Sequence, residues 1–162
     1  MPSETPPSLQ ASYERRGPLL LAGLRQDYTQ TTRGGIPAQW RRFAFHLGAV
    51  PGQVGRIAYG AVVLGPKESR IFGYMTAVEV AHVGELPASF TTLRIAATRY
   101  AVFRHSGNVI SIHETVREAF HAFGPQFEGR RAAGVELLER YGEAFDPESG
   151  EGGVDILIPL TN

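Results

Sequence analysis

From Arg16 onward, apolar residues fall into strand-length runs and helix-period stripes that occur twice in the same order. The first series opens with Pro18-Leu19-Leu20-Leu21-Ala22-Gly23-Leu24, a run of strand length. Beyond the Gly34-Gly35 turn, Ile36, Trp40, Phe43 and Leu47 recur at spacings of four, three and four. That spacing puts them on one face of an α-helix. Pro37 suits the first helical turn, where its missing N–H would have no partner anyway. Gly48 and Pro51 close the helix. Two strands are predicted next, over 56–64 and 72–80, joined by a polar turn at 65–69.

The second series repeats this order. A long strand is predicted over 93–105, with Ser106-Gly107-Asn108 as the turn. Val109, Ile112, Val116, Ala119 or Phe120, and Phe123 then mark a second helix. Ser111 and Glu114 have capping-box spacing, so the helix starts at either Val109 or Ser111. Gly124-Pro125 ends it, and strands over 135–141 and 154–159 follow, joined by the turn-rich stretch 146–153. Strand–helix–strand–strand, twice, predicts an α+β fold. Its sheet is mostly antiparallel, with both helices on one face and a central ligand cleft.

Composition narrows the functional classes. At 162 residues the chain holds one domain with a real core. Residues 1–12, rich in Pro, Ser and Thr, read as a disordered lead-in, and 13–162 as the folded domain. Sixteen basic and sixteen acidic residues give zero net charge, which argues against direct nucleic-acid binding and against a DNA mimic. The pairs Arg15-Arg16, Arg41-Arg42 and Arg130-Arg131 read as solvated faces. With no cysteine, disulfides and thiolate chemistry are excluded. No apolar run approaches the ~20 residues of a membrane span, and no signal peptide is apparent. A soluble cytoplasmic protein is expected.

No nucleophile elbow, phosphate loop or dinucleotide fingerprint is present. His113-Glu114-Thr115-Val116-Arg117 begins like a zinc-protease helix, but Arg117 stands where a second His is required. The histidines have no metal-ligand spacing, so neither metal nor cofactor is expected. His105, ending a strand beside a turn, suits capping as well as catalysis.

The candidate chemistry sits on the strands, where alternate side chains face opposite ways. Glu139 and Tyr141 share one face; Leu138 and Arg140 share the other. A carboxylate beside an aromatic ring inside a sheet suits a pocket for a cationic or hydrogen-bonding organic molecule. At a rim, paired with a basic neighbour, it is ordinary surface, and the residues alone leave both readings open. Tyr59 and Tyr141 hold comparable places in the two series, each followed by glycine (Gly60, Gly142). They either flank an acid through cation–π and hydroxyl contacts or fill core. Trp40 is read as core or as ligand wall. Glu79 shares a face with Met75 and Ala77. If that face looks into the cleft, Glu79 is a second acid able to share a proton with Glu139; otherwise it is a surface acid. Asp155 and Leu157 face together on the last strand, with Asp155 a candidate rim acid.

These segments resemble the GyrI-like effector-binding domains, the AraC-type drug-sensing half of several bacterial transcription regulators, which also occur alone. The carrying stretches are Ile36-Pro37-Ala38-Gln39-Trp40-Arg41-Arg42-Phe43, Ala58-Tyr59-Gly60, Tyr74-Met75-Thr76-Ala77-Val78-Glu79-Val80 and Arg99-Tyr100-Ala101-Val102-Phe103. They continue with Leu138-Glu139-Arg140-Tyr141, Phe145-Asp146-Pro147 and Val154-Asp155-Ile156-Leu157-Ile158-Pro159. The resemblance spans about Tyr13 to Asn162. It implies a central multidrug-type pocket for amphipathic, often cationic molecules, with Glu139 at the position of the acid that meets the ligand's charge. Two departures stand out: Leu157, and Phe120 with Phe123, stand where the family often carries Trp. The first expectation is therefore a stand-alone binding domain that senses or sequesters a lipophilic, cationic compound, alone or through a protein partner or homodimer. The alternative is a hydrolase of strained-ring, cyclopropane-type compounds using Glu139 with Glu79, since some proteins resembling the family act so.

Overall fold

The computed structural model describes residues 10–64, 70–123, 135–146 and 148–160. The predicted turn at 65–69, the Gly124-Pro125 helix stop, the Arg130-Arg131 pair and Pro147 lie outside them. The elements run β1 (Ala11–Arg16), β2 (Leu19–Tyr28), α1 (Ile36–Ala44), β3 (Gln53–Leu64), β4 (Phe72–Val80), β5 (Thr91–Ile95), β6 (Thr98–His105), α2 (Ile112–Phe123), β7 (Leu137–Tyr141) and β8 (Val154–Pro159). All strand pairs are antiparallel, in the order β1-β6-β8-β7-β3-β4-β2-β5. The twofold pattern is plain in that order: β2-β4-β3 and β6-β8-β7 are equivalent triplets meeting at the central β3–β7 pair.

Two strands differ from the sequence expectation. The single strand expected over 93–105 is two, with Ala96-Ala97 between them. In addition β1 begins at Ala11, inside the stretch read as lead-in. Its sequence, Ala-Ser-Tyr-Glu-Arg-Arg, is polar because it is an edge strand that pairs only with β6. Each unit thus carries an extra leading strand, and the two are exchanged: β1 lies on β6 and β5 on β2.

That exchange dictates the shape. Strands β1 and β2 are six places apart in the sheet. In a flat sheet that would put them about 29 Å apart, yet only Gly17-Pro18 joins them, a reach of about 11 Å. The Ala96-Ala97 link between β5 and β6 imposes the same closure. The sheet therefore curls until its diagonal corners meet. Its inner face, which carries no helix among the described residues, is one packed cluster drawn from both ends, including Leu19, Leu21, Ala61, Ile95, Tyr100, Val102 and Leu138.

Both helices cover the outer face. Phe43 of α1 packs with Ala22, Val50, Val78 and Val80, while Ile112, Val116, Ala119 and Phe120 of α2 pack over Phe103, Leu137, Ile156 and Ile158. Leu47, expected on the α1 stripe, lies past the helix end and is exposed. Ahead of α2, Asn108 caps the short 3-10 turn Val109–Ser111, its side chain accepting from the Ile110 N–H. His105 bridges the same turn, with Nδ1 on Thr115 Oγ1 at 2.6 Å and Nε2 on the Asn108 carbonyl at 2.7 Å. That is a structural cap. No helix among the described residues is long and apolar enough to cross a membrane.

Candidate functional site: a buried carboxylate among aromatic rings

Register places Glu139 at the middle of the molecule. It sits on β7 opposite Gly60 of β3 and Ile156 of β8, and points to the helix-bearing face. Its side chain is buried, yet it makes no ion pair with any described residue. Both of its hydrogen bonds fall on one oxygen: the Tyr74 and Tyr141 hydroxyls donate to Oε1, the latter at 2.8 Å. Oε2 accepts nothing from the described residues. Burial pushes the Glu139 carboxyl above its ordinary pKa, and the two phenol hydrogen bonds only partly pull it back. Burial, and then the neighbouring carboxylate, push both phenols well above theirs, so they remain donors.

The rings enclose this acid. Trp40 Nε1 donates to the Tyr74 hydroxyl at 3.0 Å, extending the chain to Trp40–Tyr74–Glu139–Tyr141. The Trp40 ring meets Tyr141 edge-on at 4.9 Å, and Phe145 meets the same tyrosine at 4.8 Å. Edge-on packing of this kind is the favoured arrangement of aromatic pairs. The cage therefore holds its own rings over the carboxylate.

Two further residues build the site. Gln39, fully buried on α1, accepts from the Tyr28 hydroxyl at 2.6 Å and donates to the Leu24 and Tyr74 carbonyls at 3.0 Å each. These bonds fix α1 to β2 and β4, and so fix Trp40 above Tyr74. Gly60 lies beneath the carboxylate. A Cβ there would overlap both the Tyr74 hydroxyl and Glu139 Oε1, so the absence of a side chain is what admits the hydrogen bond.

The candidate residues separate into two groups. Glu139, Tyr141 and Trp40 come together, joined by Tyr74, Gln39 and Phe145. Tyr59, Met75, Ala77, Glu79, Asp155 and Leu157 do not join them; they lie on the inner face. The comparable placing of Tyr59 and Tyr141 is thus overturned by parity, since Tyr59 is opposite Arg140 in register and not Glu139. The Glu139–Glu79 pair of the alternative reading does not form either, because the two acids lie on opposite faces of the sheet, and paired-acid hydrolysis by them has no geometry here. Asp155 is instead bound to Arg140 at 2.9 Å and to Arg104 at 3.0 Å. Tyr74 could have been found in the sequence: it is five residues from Glu79, hence on the other face, and Gly60 flags a close approach. Gln39 gave no signal, since a buried glutamine on a helix reads as surface.

The family pattern described as a GyrI-like small molecule binding domain matches residues 12–161. Among solved structures, SAV2435 bound to tetraphenylphosphonium is similar over 95% of each chain, at 18% identity and TM-score 0.74. A putative bacterial transcription regulation protein from Staphylococcus aureus MU50 is similar over 95% of this chain and 99% of its own, at 18% identity and TM-score 0.67. The EcmrR C-terminal domain is similar over 95% and 98%, at 13% identity and TM-score 0.64. No match was found among proteins of curated function.

Proposed function

The chain belongs to the GyrI-like small-molecule-binding domains, and from that premise we propose that Glu139 and its aromatic cage bind a lipophilic organic cation, to sense or sequester it. One observation carries the reading: a buried carboxylate with no cationic partner and one oxygen unpaired among the described residues. Such a group is costly until an opposite charge meets it. Three rings beside it, Trp40, Tyr74 and Tyr141, suit a delocalised cation, each favourable contact contributing about 0.5–2 kcal/mol. A ligand would enter over β3 and β7 by replacing the Trp40 and Phe145 edges on Tyr141. Tetraphenylphosphonium, carried by the similar SAV2435, is a permanent cation of this chemistry and a suitable probe.

Calorimetry with tetraphenylphosphonium and with uncharged triphenylphosphine oxide tests the proposal. The cation binds the wild-type protein, and Glu139→Gln weakens it by at least about tenfold, while the oxide binds both proteins weakly and alike. Equal cation affinity in wild type and Glu139→Gln would remove the carboxylate from the site.

A further inference from the structure

A cavity lies on the face of the sheet opposite to Glu139. Its volume is about 470 Å3, and its lining includes Arg16, Ile57, Tyr59, Glu79 and Gly142, with Arg56 at the rim. Closure of the sheet creates it: the Gly17-Pro18 link carries the end of β1 across to β3 and β4, and sets Arg16 near Glu79.

Three polar groups facing this cavity keep wholly or partly unused hydrogen-bonding capacity among the described residues. Tyr59 is 2% exposed, and its hydroxyl makes no hydrogen bond with any described residue. Buried phenols usually have a partner. Glu79 is half-buried and makes neither a hydrogen bond nor an ion pair with the described residues. Arg16 holds Glu14 through Nη1 alone, at 3.3 Å, leaving much of its guanidinium fork unused. Arg56 is exposed and its nearest acid, Glu143, is 3.9 Å away. Val54 and Ile57 add aliphatic wall. The cavity thus offers a carboxylate without a partner among the described residues, a guanidinium only partly engaged by Glu14, and an orphan hydroxyl. These are the counterparts of an ammonium, a carboxylate and one further polar group.

We propose that this inner-face cavity is a second, independent site for a small zwitterion of the amino-acid or dipeptide type, with Glu79 holding its ammonium, Arg16 its carboxylate and Tyr59 a hydrogen bond between them. It differs from the Glu139 cage in chemistry, because the cage has no cation to hold a carboxylate and two donors already on its acid. It also gives a use to Tyr59 and Glu79, which the sheet keeps away from Glu139.

Titration of the 15N-labelled protein with leucylglycine, followed by NMR, tests it. Millimolar dipeptide shifts the amide signals of Ile57, Tyr59, Glu79 and Gly142 and leaves the Trp40 indole signal in place. Glu79→Gln and Tyr59→Phe each weaken the effect, the first by about tenfold. N-acetyl-leucylglycine and leucylglycinamide, each lacking one charge, bind at least about tenfold more weakly. Absence of these shifts, equal binding of the blocked forms, or shifts centred on Trp40 would overturn the assignment. Glu139→Gln should leave leucylglycine binding unchanged; a parallel loss there would also defeat it.

Discussion

At Glu139, burial and phenol hydrogen bonds act on one carboxyl in opposite senses, and burial prevails. The consequence for stability has a definite sign. Below the ordinary value of 4.5, folded and unfolded chains are both protonated and the group contributes nothing. As pH rises above it, the unfolded chain releases its proton first, so stability falls until the folded pKa is passed and then levels off. Melting temperatures compared across pH should therefore show Glu139→Gln gaining on the wild type as pH rises from about 4.5. A constant difference would mean that the acid is not strained by burial. Gly60→Ala tests the floor of the same site. The added methyl must displace the Tyr74 hydroxyl or the carboxylate, at a cost of about 1–3 kcal/mol by denaturant unfolding, together with loss of cation binding. The acid and its Tyr141 neighbour were legible from strand alternation alone. Which acid shares its face was not, because that depends on the register between β3, β4 and β7.

At the scale of elements, α1 shapes the site, since it carries Trp40 over the acid and is tied down by Gln39. Gln39→Ala removes bonds to Tyr28, Leu24 and Tyr74 and leaves buried partners unpaired. Unfolding stability should fall by about 2–4 kcal/mol. Because Trp40 is the only tryptophan, its fluorescence reports the site directly: cation binding should change emission, and Tyr74→Phe should change the starting spectrum by removing the indole's acceptor. Both helices and the β2–β4 and β6–β8 strands could be read from periodicity, which depends on local burial. Strand β1 could not be, because an edge strand with exposed side chains has no apolar run. The break at Ala96-Ala97 was hidden by continuous strand-like residues on either side.

At the scale of the whole molecule, curling of the sheet separates two chemistries that the linear sequence mixes. The outer face holds the acid with its rings. The inner face holds the chain Arg16–Glu14–Arg140–Asp155–Arg104. Arg140 is its hub, bound to Glu14 at 2.7 Å and to Asp155 at 2.9 Å, tying β1 to β7 and β8. Arg140→Ala should loosen β1, seen as faster amide exchange at Tyr13 and Arg15 while α1 stays protected. The hydrogen bond from Arg140 holds the Glu14 carboxyl below its ordinary value. Its stabilisation is thus present above the unfolded value and lost as pH falls through the folded one, opposite in sign to Glu139. The twofold pattern of the sequence pointed to this architecture, but not to the exchange of leading strands, which rests on pairings remote in sequence.

In the proposed function, cation recognition turns on the charge of one buried acid, and the affinity of tetraphenylphosphonium as a function of pH measures it most directly. The ligand's charge is fixed, so any pH dependence belongs to the protein. Followed by Trp40 emission, wild-type affinity should rise with pH above about 4.5 and then level as Glu139 ionises, while Glu139→Gln stays weak and flat. Wild-type and Glu139→Gln curves that run parallel across the range would contradict it.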